Sequence, residues 1–288
     1  MSIIRFLQSF SSPFIDNFFQ AVTFMGEETA IILIMVTIYW CLNKKLALRL
    51  GFIQLFSAVT NGAVKDLVNE ARPIGQEGIF SLRVTTATGS SFPSGHTQGT
   101  ATFWTALMVL YRKKWLYITG TVMIVLVGTS RLYLGLHWPV DVLGGAALGI
   151  FSMFLANTIV NAMYSRKDNR YMLLLMFPAV IGLFFFHSND YVKSVALSLS
   201  FYLGYIIEDN FIKFDPRQHA ARQAIKVVIG VIGLLFVEQG LKLMLPDNNL
   251  GTFICYSAVG LWITAAAPLI FIILRLSPSE SAKAYKKI

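Results

Sequence analysis

Apolar positions in this chain fall in long, nearly continuous runs rather than in the strict alternation of half-buried strands. A helix that crosses a bilayer needs about 20 mostly apolar residues. Nine runs approach that length, near residues 27–43, 47–69, 96–111, 115–134, 138–163, 171–187, 192–207, 224–245 and 252–275. The first, third, sixth and seventh are short or interrupted. The pattern predicts an all-α, polytopic transmembrane helix bundle of about nine spans. Ahead of it, Ile3, Leu7, Phe10, Phe14 and Phe18 recur at helical spacing, and Ser12-Pro13 reads as a cap followed by a first helical turn. This segment fits an amphipathic helix lying on the membrane surface, or an ordinary packed helix.

Composition strengthens the membrane reading. The chain is 55% hydrophobic and 14% charged, against about 45–50% and about 25% in soluble domains. Its net charge of +9 could suit a nucleic-acid binder, but the basic residues sit in short clusters between apolar runs, as in membrane loops. No basic face interleaves with aromatics, so no nucleic-acid partner is expected. Of the 24 Lys and Arg, 17 fall in alternate loops: Lys44 to Arg49, Arg112 to Lys114, Arg166 to Arg170, Lys213 to Lys226 and Arg275 to Lys287. Those loops should be cytoplasmic, with the N-terminus outside and the C-terminus inside. The two cysteines, Cys41 and Cys255, read as packed thiols. The N-terminus lacks the features of a signal peptide.

Three polar blocks interrupt the apolar pattern on the opposite, Lys/Arg-poor face. They are Lys65-x6-Arg72-Pro73, Pro93-Ser94-Gly95-His96 and Ser130-Arg131-x5-His137-x3-Asp141. Lys65, Arg72 and Arg131 supply three cations, and an arginine fork grips phosphate oxygens. Ser94 adds a hydroxyl, and Gly95 lets backbone approach closely. His96 and His137 should sit near helix N-termini, which favour anions. On a helix, His137 and Asp141 would share a face. Asp141 could then hold one imidazole nitrogen and leave the other free to attack phosphorus. Pro139 is compatible with a first helical turn. His96 remains as the acid for the leaving oxygen.

These blocks resemble the three-part signature of the type 2 phosphatidic-acid phosphatase superfamily, matching it at every signature position across about residues 60–150. The resemblance implies a phosphohistidine on His137, His96 as acid and then base, no metal and no cofactor. It also implies a phosphate pocket of Lys65, Arg72, Ser94, Gly95, His96 and Arg131. The expected activity is hydrolysis of a lipid phosphate or diphosphate at the extracytoplasmic face, and the signature does not choose among undecaprenyl pyrophosphate, phosphatidic acid, phosphatidylglycerophosphate and a sphingoid phosphate. A lipid phosphotransferase using the same intermediate is the alternative, and a non-enzymatic lipid transporter a more distant one. The expected setting is a bacterial plasma membrane, with membrane lipids as surroundings.

The chain then divides into an amphipathic segment at 1–26, a catalytic helical core at 27–190, and further transmembrane helices with a basic cytoplasmic tail at 191–288. Outside the blocks, Glu27 and Glu28 read as a charged helix start or a headgroup contact. Glu238 and Lys242 read as an i,i+4 ion pair or a functional pair. His187 and His219 read as ordinary polar residues. Gly144, Gly145 and Gly149 predict close helix packing. The long 74–92 connection and the N-terminal helix are the expected places for substrate selection.

Overall fold

The protein is described by a computed structural model, which covers residues 2–279; Lys283, Lys286 and Lys287 of the expected basic tail lie outside the described residues. Among the described residues, twelve α-helices account for most of the regular structure. They are α1 Ser2–Gln8, α2 Pro13–Phe24, α3 Glu28–Thr37, α4 Lys44–Val68, α5 Gly95–Tyr111, α6 Lys114–Tyr133, α7 Pro139–Arg166, α8 Leu173–Gly182, α9 Asn189–Ile207, α10 Ala220–Met244, α11 Asn249–Leu261 and α12 Ala267–Ile273. Wider π turns extend α3 through Ile38–Leu42, extend α9 through Glu208–Ile212, and join α11 to α12 through Trp262–Ala266.

Each of the nine apolar runs coincides with a helix or a helix with its extension. Among the described residues, four helices pass as membrane-crossing by length and composition alone: Lys114–Tyr133, Pro139–Arg166, Ala220–Met244 and Asn249–Ile273. A fifth is added if Pro13–Phe24 and Glu28–Leu42, bent by 49° at their break, form one span. The chain is an integral membrane protein on this basis. Helices α4, α5 and α9 fall outside that group. Helix α5 has only 17 residues, α9 carries Asp190, Lys193 and serines bonded to its own carbonyls, and α4 and α5 turn polar side chains toward one another inside the bundle.

The seam between α4, α5 and α7 illustrates this. Gln98 donates to the Ser57 carbonyl at 2.8 Å, and Asn61 donates to Gln98 Oε1 at 2.8 Å. The Ser57 and Thr102 hydroxyls meet at 2.8 Å, and those of Thr60 and Ser152 at 3.1 Å. Buried polar groups paired in this way avoid the desolvation cost that each would carry alone. Helices α5 and α7 approach closely because α7 presents glycines. A Cβ at Gly145 would lie 2.6 Å from the Ser94 carbonyl, and one at Gly149 would lie 2.4 Å from the Gln98 carbonyl. The close packing expected at those glycines is therefore present.

Cys41 and Cys255 are both buried and unbonded to one another. Ser12 caps α2 by accepting the Ile15 N–H, with Pro13 as its first residue. The N-terminal segment is two helices rather than one. It packs across the 74–92 connection: Gln8 donates to the Phe80 and Tyr133 carbonyls, both at 2.8 Å, and Phe19 stacks on Tyr133 at 4.4 Å. Phe10, Phe14 and Phe18 remain exposed. Thus the two regions expected to select substrate lie against each other.

Candidate active site

Local sequence rules bring the three blocks to one end of the bundle. Helix α4 closes with Asn69 in the left-handed region (φ 47°), its N–H bonded to the Lys65 carbonyl at 2.9 Å. That cap turns the chain toward Arg72. Ser94 caps α5, so Gly95 and His96 are its first residues. Between α6 and α7, Gly135 adopts φ 65°, and a Cβ there would lie 2.2 Å from the Phe80 carbonyl. Only glycine tolerates both conditions. His137 follows, and Pro139 starts α7.

Direct bonds tie the second block to the third. The Ser94 N–H donates to the Asp141 carbonyl at 3.0 Å, and Ser91 Oγ donates to Asp141 Oδ2 at 2.5 Å. Asp141 Oδ2 also accepts the Trp138 N–H at 2.7 Å. His137 Nδ1 lies 3.4 Å from the same oxygen. This is close enough for electrostatic pairing, but the hydrogen bond itself is not formed. Here the structure differs from the expectation of a shared helix face. His137 precedes α7 while Asp141 is its third residue, so the pair is set by the bend at Trp138 and Pro139.

Arg72 makes the most contacts in the cluster. Its Nε donates to the Gly89 carbonyl at 3.1 Å, and Nη2 donates to the carbonyls of Thr88 (2.6 Å) and Ser90 (3.1 Å). Its Nη1 donates to the Leu136 carbonyl at 2.9 Å and meets His137 Nε2 at 3.0 Å. A guanidinium has five N–H donors and no acceptor, so all five are engaged. It follows that His137 Nε2 accepts, and that a neutral imidazole carries its proton on Nδ1, toward Asp141. Burial, reinforced by Arg131, Arg72 and Lys65, holds His137 well below the ordinary imidazole range. The ring is therefore neutral, with its Nε2 lone pair available once Arg72 moves aside.

A cavity of about 380 Å³ opens at this point, lined by Lys65, Arg72, Gly95, His96 and His137. His96 Nε2 is buried with no protein partner among the described residues. Two expected pocket residues do not line the cavity. Ser94 is fully buried beneath it, with Oγ 3.0 Å from Thr97 Oγ1, and serves as the α5 cap. Arg131 lies behind the cavity wall, donating through Nη1 to Thr23 Oγ1 at 3.0 Å and Thr86 Oγ1 at 3.4 Å. Its Nε and Nη2 are buried and find no acceptor among the described residues. Thr86 itself lines the cavity, so Arg131 stands one residue away from it.

Other cavity residues were not legible in the blocks. Asp190, at the start of α9, lies 3.3 Å from Lys65 Nζ and accepts Thr88 Oγ1 at 3.0 Å. Glu27 pairs with Arg83 at 2.5 Å, and Glu28 pairs with Lys193. The expected Glu238–Lys242 pair forms at 2.6 Å. An acidic residue at a helix start is ordinary, and no spacing linked Asp190 to a block more than a hundred positions earlier.

A helical membrane protein whose bundle end gathers two histidines, a carboxylate and several cations is thus the class defined by fold and site. A family profile described as PAP2 superfamily matches residues 46–165, and one described as PAP2 superfamily phosphatase, transmembrane extension, matches residues 192–281. The chain belongs to the PAP2 superfamily. It is 32% identical over 114 residues to an undecaprenyl-diphosphatase of Sulfolobus acidocaldarius, covering 40% of this chain and 55% of that one. It is 28% identical over 181 residues to a lipid A 4'-phosphatase of Bacteroides thetaiotaomicron, covering 58% of this chain and 79% of that one. The chain thus spans little more than half the length of the first of these relatives. The crystal structure of Aquifex aeolicus LpxE superposes with a TM-score of 0.49 at 23% identity, over 55% of this chain and 93% of that one.

Proposed function

We propose that the protein is a metal-independent lipid phosphate phosphatase working through a phosphohistidine. The observation that carries this reading is His137 Nε2, an unprotonated buried nitrogen facing a cavity shared with His96, Lys65 and Arg72. A phosphoryl group entering the cavity draws the Arg72 fork from Nε2 onto its own oxygens. Nε2 then attacks, the N–P bond forms and the ester P–O bond breaks. His96 protonates the departing oxygen. Asp141 stabilises the imidazolium, and the fixed cations hold the charge that develops on phosphorus. Water then attacks phosphorus, giving its proton to His96 as the N–P bond breaks. Arg131 joins the phosphate by a small movement of the Val84–Thr86 turn that stands between them.

The reading extends to the whole chain as nine spans, with the site on the extracytoplasmic face. The bias of 17 among 24 basic residues toward the opposite loops supports this placement. The exposed Phe10, Phe14 and Phe18 support a membrane-surface role for residues 1–26. Residues 27–190 would carry the chemistry and residues 191–288 the additional helices. The substrate is a lipid phosphate or diphosphate, and a bacterial plasma membrane is the proposed setting.

The direct test is trapping. Brief incubation with a radiolabelled short-chain phosphate ester followed by alkaline quench should leave an acid-labile, base-stable label on the peptide containing His137. A label that persists in His137→Ala protein would defeat the assignment. A second expected result concerns Arg72. Lysine offers three donors and no planar fork, so Arg72→Lys should lower kcat/KM by about 10²-fold. Loss of less than threefold in steady-state assays would show that the arginine only braces the 88–90 loop.

A further inference from the structure

The phosphate cavity is not isolated. A second, narrower cavity of about 130 Å³ runs between α3, α4, α9, α10 and α11, and a third of about 520 Å³ opens between the 88–90 loop and the α10–α11 corner. Lys193 lines all three, and Glu28 lines the first two. Lys193 is held by its ion pair with Glu28 and lies over the Tyr256 ring at 5.2 Å.

We infer that the narrow cavity holds the single hydrocarbon chain of a lipid phosphate monoester. Lys193 and Glu28 contact the polar segment that joins this chain to the phosphoryl group at His137. The inference rests on the phosphatase reading above and narrows its substrate class.

Three observations support it. First, the cavity wall is apolar below its mouth, where Ile32, Val36, Leu197, Phe201 and Val259 face the space. Second, its depth fits. Between Glu28 and Tyr39, which both line it, the chain rises about 16 Å at ~1.5 Å per residue. That is close to half of the ~30 Å hydrocarbon core of a bilayer, the depth of one leaflet. Its volume of about 130 Å³, near that of a cavity that holds one benzene, excludes two chains and admits the first methylenes of one, with more only as the wall side chains shift.

Third, the charge at the neck is balanced. Lys193 is already matched by Glu28, and Asp190 stands on the far side against Lys65. A second phosphoryl group placed there would meet carboxylates. A hydroxyl or amine would find both a donor and an acceptor, and the Glu28 side chain is 64% exposed to receive it. Lys193, Tyr256 and Val259 belong to the stretch matched by the transmembrane extension. The stretch from α4 to α7 supplies the blocks, while the narrow cavity is shared between α3 and α4 on one side and the added helices on the other.

The test uses the full-length protein in detergent with four substrates: p-nitrophenyl phosphate, single-chain monoesters of increasing length, a two-chain monoester, and a single-chain diphosphate. For the wild type, kcat/KM should rise with chain length and favour the single-chain monoester over the diphosphate by about tenfold. In Ile32→Trp and Leu197→Trp proteins, KM for the long-chain monoester should rise by about tenfold or more as buried methylenes are displaced, while p-nitrophenyl phosphate turnover stays within about twofold. A chain-length gain that persists in both variants overturns the inference, as does equal or faster cleavage of the diphosphate by the wild type. A wild type that cleaves no monoester at all overturns the phosphatase reading instead. Photolabelling of the wild type with a single-chain phosphate bearing a terminal diazirine gives an answer independent of the variants' folding. Label on α3, α4, α9, α10 or α11 supports the inference, and label confined to other helices overturns it.

Discussion

His137→Ala is expected to lower kcat by at least about 10⁴-fold on any phosphate ester the protein turns over. Without Nε2 there is no atom to form the N–P bond, and Asp141 cannot act in its place. Its Oδ2 already accepts from Ser91 and Trp138, and the carboxylate is fully buried. Water attacking directly would lack both the nucleophile and its orientation. The imidazole is also the acceptor for one Arg72 donor, so the alanine protein loses a contact as well as a reactive atom. The fork keeps its four carbonyl contacts, and the cavity should still bind orthophosphate. Retained phosphate binding with lost turnover separates a missing nucleophile from a collapsed site. Turnover above about a tenth of wild type would rule out His137 as the attacking group.

Asp141→Asn should have the next largest effect, a fall in kcat of about 10²–10⁴-fold. The amide is nearly isosteric, and its oxygen can still accept from Ser91 and Trp138. What disappears is the negative charge 3.4 Å from His137 Nδ1. That charge favours the Nδ1–H tautomer and stabilises the imidazolium formed during attack. The loss should therefore appear in kcat rather than KM. Ser91→Ala offers the contrast. It removes one hydrogen bond to the carboxylate and leaves the charge, so its effect should be only severalfold. If Ser91→Ala and Asp141→Asn fall equally, Asp141 acts by tying the second block to the third rather than by electrostatics.

The two roles of Asp141 show how far the residues could be read without the fold. Their types and spacing pointed to a charge beside His137. They did not show that the same oxygen would be occupied by a hydroxyl from one block and an N–H from another. Arg72 is similar. A fork suited to phosphate was legible, but its five donors rest on four carbonyls and His137 Nε2, and any phosphate would have to compete with these. Ser94 and Arg131 stand beneath and behind the cavity because helix capping and the Val84–Thr86 turn determine where their side chains lie.

The sequence by itself determined the helical class, the positions of the nine apolar runs, the cap at Ser12, and the three polar blocks. These depend on local rules: run length, capping chemistry and the intrinsic reactivity of side chains. Tertiary structure alone decided that Asp190 meets Lys65, that Ser91 reaches Asp141, and that Lys193 stands where three cavities meet. Each of those contacts joins residues far apart in the chain. Their distance is fixed by how helices cross, and no spacing along one segment encodes it.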